Sequence, residues 1–266
     1  MSTAPETGSS GLSGKVAVIT GGGTGIGAAT ARLFAARNAA GVVLAARTPD
    51  QLGAVAAEIN DASATRAVAV PTDVKDEGSV MTLVARTMEE FGRIDILVNN
   101  AGGTRMGPLE DLPTRAWDSI FALNVRGPFI ATREVGQHMI RQRSGVIVNV
   151  SSGAGVSGVR YGAAYSAAKS ALQMFTRVTA AEWGRHGIRA NCVAVGLVAS
   201  ERAVDAWAVA GIDPDVLQSG IPLGRVGEPV DVARAIAYLA SDESAYVSGE
   251  TFSVNGGPQM GGPPAQ

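Results

Sequence analysis

Seven short apolar runs, several rich in β-branched residues, punctuate the chain: Lys15–Thr20 (KVAVIT), Gly41–Ala46 (GVVLAA), Arg66–Val70, Arg93–Val98 (RIDILV), Gly145–Val150, Ile188–Val193 (IRANCV) and Phe252–Val254. The first is apolar without alternation, the pattern of a strand buried on both faces of a parallel sheet. Between them lie longer segments that read as helices: Ala28–Arg37, Pro49–Ile59, the amphipathic Glu77–Phe91, Trp117–Val125 running on into Gly127–Arg143, and Ala163–Gly184. A last helix, Val230–Leu239, is opened by Glu228-Pro229, with proline at the position where its missing N–H costs nothing. Residues 1–13 read as a disordered leader, 14–257 as one domain with 201–225 as its least patterned stretch, and 258–266 as a Gly/Pro-rich tail. No internal repeat and no second domain is visible.

Composition narrows the function. At 266 residues the chain is long enough for a single α/β unit with a large core. With 22 basic and 24 acidic side chains it is close to neutral, and it has neither a basic block nor an acidic tail, so no nucleic-acid partner is expected. The single cysteine, Cys192, excludes an internal disulfide framework, fits a reducing cytosol and sits in an apolar run that marks it as core. The two histidines, His138 and His186, have no Cys or carboxylate at ligand spacing, so no metal site is expected. The start, Met1–Gly14, lacks the apolar centre of a secretory leader, and no uncharged apolar run is long enough to span a bilayer. A soluble, cytoplasmic enzyme is the expectation.

The candidate chemistry centres on Tyr165 and Lys169, four residues apart in the Ala-rich helical segment. That spacing puts both on one helix face, one turn apart. An unperturbed tyrosine titrates near ~10, and a lysine cation beside it is expected to lower that value toward the range of efficient acid–base work. Ser152 follows the fifth apolar run, so its hydroxyl should sit at a strand's C-terminal end, placed to hydrogen-bond a carbonyl oxygen.

Ser152, Tyr165 and Lys169 at this spacing resemble the catalytic set of the classical short-chain dehydrogenases/reductases, including 3-oxoacyl-thioester reductases. Other segments carry the resemblance from about Gly14 to Gly257. Thr20–Gly27 (TGGGTGIG) follows a strand and opens a helix, an arrangement that sets a pyrophosphate on backbone N–H groups. Its Gly21, Gly25 and Gly27 match the family's glycine spacing rather than the general G-x-G-x-x-G or Walker A patterns. Asn99-Asn100-Ala101-Gly102 resembles the family's second fingerprint, beside the cofactor. The resemblance makes Asn124 a fourth catalytic residue, one that distorts its helix and holds a water on the path to the lysine. It also gives Thr24, Ile26, Asp73, Val74 and Val198 as cofactor contacts, with Asp73 on the adenine amino group; a simple helix cap is the alternative for Asp73. Together these imply a Rossmann-type, doubly wound α/β domain: a seven-stranded parallel sheet with helices on both faces and the ligand site at the strands' carboxyl ends.

Two features bear on specificity. Folds that prefer NAD place a carboxylate after the second strand, on the ribose 2′-OH; here Ala46 is followed by Arg47, whose guanidinium could pair with a 2′-phosphate. NADP is therefore favoured over NAD, with a solvated loop charge as the alternative for Arg47. Relatives carry Pro-Gly after the sixth strand and then a Thr that touches the nicotinamide carboxamide, where this chain has Val195-Gly196 and Ser200. Loss of the fixed proline φ is expected to loosen that turn. The resemblance implies that residues of about 197–225 form a substrate lid; the stretch holds Trp207, Val209, Ile212, Leu217, Ile221 and Leu223, as an apolar cover or a packed insertion.

The function implied is hydride transfer between NADP(H) and a carbonyl or secondary alcohol, with Tyr165 as general acid/base and a 3-oxoacyl thioester or other apolar ketone as substrate. An NAD-dependent alcohol or steroid dehydrogenase is one alternative, and a non-catalytic dinucleotide sensor or scaffold is another. The resemblance also implies a homodimer or homotetramer, with the Ala-rich helix as a contact face; light scattering showing only monomer would remove that expectation.

Overall fold

The computed structural model describes residues 11–257. Residues 1–10 of the expected leader and 258–266 of the expected tail lie outside them. Leu12, which the sequence reading assigned to the leader, is wholly buried in the core, and its carbonyl accepts from the Lys15 N–H.

Among the described residues seven strands form one parallel sheet. They are β1 (Val16–Thr20), β2 (Gly41–Ala46), β3 (Arg66–Pro71), β4 (Ile96–Asn99), β5 (Gly145–Ser152), β6 (Ile188–Val195) and β7 (Thr251–Val254), in the order β3-β2-β1-β4-β5-β6-β7. The central strands are buried along their length, because helices cover both faces. Alternate residues serve opposite sides. Ala17, Ile19, Val42, Leu44, Ile96 and Val98 pack with α1 (Gly25–Ala36), α2 (Pro49–Ala62) and α10 (Pro229–Ala240). Val18, Val43, Ala45, Leu97 and Ile147 pack with α3 (Glu77–Phe91), α5 (Gly127–Gln142) and the end of α7 (Ala163–Trp183). α4 (Thr114–Phe121) precedes α5, and α6 (Ala154–Ser157) is a short helical turn in the glycine-rich stretch between β5 and α7. α8 (Glu201–Val209) and α9 (Pro214–Ser219) lie in the segment read from the sequence as an apolar cover or a packed insertion.

From β1 the chain winds outward to β3, then returns to place β4 on the other side of β1. At such a reversal the connections leave in opposite directions and open a crevice beyond the strands' carboxyl ends, where ligands of this architecture bind.

Strand bounds differ from the sequence reading where polar residues intrude. β5 runs on through Ser151 and Ser152, and β6 continues to Val195 instead of stopping at Val193. Val195 is in register with Ser152 on one side and Val254 on the other, and the Gly196 N–H donates to the Val254 carbonyl. The turn expected to be loosened by the missing proline is therefore held by strand pairing.

Candidate active site

The glycine turn is shaped by contacts that tolerate no side chain. Gly21 and Gly25 have φ of +66° and +52°, a region L side chains rarely adopt. A Cβ on Gly27 would lie 2.1 Å from the Gly21 carbonyl oxygen. The turn is tied to the end of β4: Asn100 Nδ2 donates to the carbonyls of Thr20 (2.9 Å) and Gly21 (3.2 Å). Thr20 Oγ1 accepts from the N–H groups of Asn100 and Ala101, both at 3.0 Å, and donates to the Val98 carbonyl. Thr20 was not singled out in the sequence, although a buried hydroxyl ending an apolar strand must find partners.

Thr24 is the N-cap of α1 in an extended conformation, and its side chain makes no capping bond. The N–H groups of Ile26 and Gly27 have no acceptor among the described residues, whereas Gly25 N–H donates to the Glu201 carboxylate at 3.0 Å. Backbone donors at a helix N-terminus, on a path cleared by glycines, fit the pyrophosphate of a dinucleotide. Arg47 is exposed directly after β2, and no carboxylate among the described residues pairs with it. Asp73 closes a turn, accepting from Lys75 N–H at 3.0 Å and lying 3.6 Å from the Lys75 ammonium. The helix cap considered for Asp73 is instead Asp76, which accepts from Ser79 N–H at 2.6 Å and opens α3. Val74 is buried, with the backbone of Gly127 against its side chain.

On the other side of β4 lie the acid–base candidates. Ser152 ends β5, and its hydroxyl accepts from Ala154 N–H at 3.2 Å. Tyr165 and Lys169 stand one turn apart on α7, with the ammonium 5.7 Å from the phenol ring centre. Lys169 Nζ donates to the Val150 carbonyl at 2.8 Å, and burial lowers its pKa from 10.5 to about 8. Burial also raises the pKa of Tyr165, partly opposed by a hydrogen bond with Ser152. The lowering expected from Lys169 is thus not the net direction: the cost of burying a phenolate outweighs the Ser152 hydrogen bond that opposes it.

Asn124 lies in a π-helical turn, Ala122–Arg126, between α4 and α5, as its expected helix distortion requires. It is fully buried; Nδ2 donates to the carbonyls of Ile120 and Gly103, both at 2.9 Å, and Oδ1 accepts from Gly103 N–H at 3.4 Å. Gly102 joins the two halves of the site. A Cβ there would lie 3.0 Å from Asn124 Oδ1 and 3.3 Å from Lys169 Nζ.

A buried polar ladder holds these elements together. Asn99 donates to Asn149 and Thr132, and Asn149 donates to Thr176, linking β4, α5, β5 and α7. Ser151 Oγ donates to the Lys169 carbonyl at 3.0 Å, and Gln173 donates to Ser151 Oγ and the Ser152 carbonyl. The sequence reading passed over Asn149, Ser151, Gln173 and Thr176; the signal was the polar pair within a strand otherwise apolar. Val198 forms an isolated bridge with Gly227, and Ser200 caps α8 by accepting from Ala203 N–H. Cys192 is buried, which raises its thiol pKa to about 11. No group of His, Cys, Asp or Glu among the described residues could hold a metal ion, and no described helix is long and apolar enough to cross a membrane.

A family model described as short chain dehydrogenase matches residues 15–208. The chain belongs to the short-chain dehydrogenase family. It is 41% identical over 247 residues to the cis-4-hydroxycyclohexanecarboxylate dehydrogenase of Sinomonas cyclohexanicum, covering 91% of this chain and 96% of that one. It is 38% identical to the 3-oxoacyl-(acyl-carrier-protein) reductase of Synechocystis sp., covering 94% and 98%. The solved structure of levodione reductase superposes with a TM-score of 0.87 at 31% identity, covering 92% and 97%. This short-chain dehydrogenase is accordingly an oxidoreductase that acts on CH–OH donors with a nicotinamide dinucleotide.

Proposed function

We propose that this enzyme transfers a hydride between NADP(H) and the carbonyl carbon of an apolar ketone or 3-oxoacyl thioester, working as a homodimer or homotetramer. The observation that supports the catalytic reading is the close approach of Lys169 Nζ and Asn124 Oδ1 to Gly102, two residues from Asn100, which is bonded to the glycine turn. When bound, the dinucleotide supplies the hydride, and the protein supplies orientation and electrostatics. Tyr165 hands its proton to the carbonyl oxygen, and Ser152 hydrogen-bonds that oxygen and fixes its position. Lys169, held near pKa 8, carries charge or releases a proton close to neutral pH. Asn124 fixes the Gly103 backbone and supports a water relay toward Lys169.

Arg47 supports NADP, since β2 ends without a carboxylate and its guanidinium is exposed. An apolar substrate is supported by the lid, where Val204, Val209, Ile212, Val216 and Leu223 expose much of their surface. The relative acting on a hydroxycyclohexane acid favours a second reading, oxidation of an alicyclic secondary alcohol. Fluorescence titration with NADPH and NADH, on wild type and Arg47→Ala, tests the cofactor half. NADPH should bind at least about tenfold tighter, a charge-assisted pair being worth about 1.5–3 kcal/mol, and Arg47→Ala should erase the difference. Equal or tighter binding of NADH by wild type would sink the NADP assignment and move substrate screening to alcohol oxidation.

A further inference from the structure

The first turn of the lid helix lies across the site. Glu201, the first residue of α8, accepts from Gly25 N–H at 3.0 Å. Its neighbour Arg202 donates to the Gly102 carbonyl at 3.2 Å, and a Cβ on Gly25 would touch Ser200 Cβ at 3.1 Å. One lid turn therefore spans from the glycine turn at β1 to the catalytic end of β4. Its root is held as well, by the Val198–Gly227 bridge and the bond from Gly227 N–H to the Leu197 carbonyl.

The partner that Glu201 has chosen matters. Gly25 N–H belongs to the donor set at the N-terminus of α1, and an anion there is favoured by the unpaired N–H groups and the helix dipole. The Glu201 charge is also felt by the Arg32 guanidinium on the same helix, as one of the smaller causes raising its pKa. A single N–H cannot serve the side-chain carboxylate and a pyrophosphate oxygen at full strength.

We propose that Glu201 is a built-in competitor for the pyrophosphate cradle, so that dinucleotide binding displaces its carboxylate from the Gly25 N–H while Arg202 and the Val198–Gly227 bridge keep the turn in place. This rests on the turn being the dinucleotide site. Dinucleotide binding and the Glu201–Gly25 contact then become linked equilibria: whatever favours Glu201 on Gly25 weakens the dinucleotide, and the dinucleotide weakens that contact by the same factor.

The test compares wild type with Glu201→Gln, which removes the charge, and Glu201→Asp, which keeps the charge at the start of α8 but shortens its reach. Amide exchange at Gly25 without dinucleotide reads the contact, and titration with NADPH and NADH reads the competition. Gly25 should exchange faster in both variants, and both should bind dinucleotide about threefold tighter, the size of an exposed charge at a helix terminus. Unchanged or weaker binding in both variants, with wild type binding normally, overturns the competition. Tighter binding by Glu201→Gln alone also overturns it, since general charge repulsion would suffice. If no protein binds either dinucleotide while Gly25 still responds, the dinucleotide reading fails and the competition falls with it.

Discussion

The Tyr165 phenol keeps its proton at neutral pH, because burial raises its pKa and the Ser152 hydrogen bond offsets this only in part. A protonated phenol is the form that donates to a carbonyl oxygen. Phenylalanine at this position would keep the ring packing and remove the proton. Tyr165→Phe should lower turnover by about 10²–10⁴-fold while the dinucleotide dissociation constant stays within about threefold. Steady-state kinetics alongside a binding titration check both parts; a large loss of dinucleotide affinity would mean that the hydroxyl serves mainly in binding. The residue identities were legible in the sequence, through helical spacing and a strand end. The direction of the tyrosine shift was not, since it depends on how completely the tertiary structure shields the phenol.

Local elements carry constraints that substitution can expose. At Gly27 a methyl group would collide with the backbone oxygen of Gly21 at 2.1 Å and crowd Asn100 Nδ2 at 2.7 Å. Neither can move without breaking the bonds that tie the turn to β4. Gly27→Ala should therefore destabilise the fold by about 1–3 kcal/mol through overpacking and weaken dinucleotide binding, as read by denaturant unfolding and titration; a variant with wild-type stability would show that the turn relaxes freely. The glycine spacing announced this element. A distortion at Asn124 was expected from the family resemblance, and asparagine in a helix interior, which competes for backbone partners, agrees with it. Of its partners, the Ile120 carbonyl lies one turn back on the same helix, whereas Gly103 is brought by a loop 21 residues away in sequence.

The balance of buried ionisable groups shapes stability across the whole molecule. Lys169 titrates near 8 folded and near its ordinary 10.5 unfolded. Between these values the unfolded chain binds more protons, so stability rises as pH increases. Cys192 works the other way, with its pKa raised from 9.0 to about 11; there the folded chain binds more protons, and stability falls from about pH 9 upward. Lys169 alone would add about 1 kcal/mol between pH 8 and 9, and with Cys192 opposing it the net expectation is a gain of roughly half a kcal/mol, then a flattening. Urea midpoints measured across this range should show the rise in wild type and not in Lys169→Met. The same rise in both proteins would assign it to another group.

By itself the sequence determined the order of the seven strands and the glycine spacing after β1, because periodicity and close backbone approach are local properties that leave local marks, while Asn100, Asn124, Ser152, Tyr165 and Lys169 were proposed as site residues through a family resemblance. Tertiary structure decided the rest. It buried Leu12, carried β6 through Val195, paired Asn99 with Asn149 and Thr176, set the protonation of Tyr165, and laid Glu201 on Gly25. Each of these depends on which distant groups meet and on how much water they exclude, and the spacing of residues along a chain carries neither.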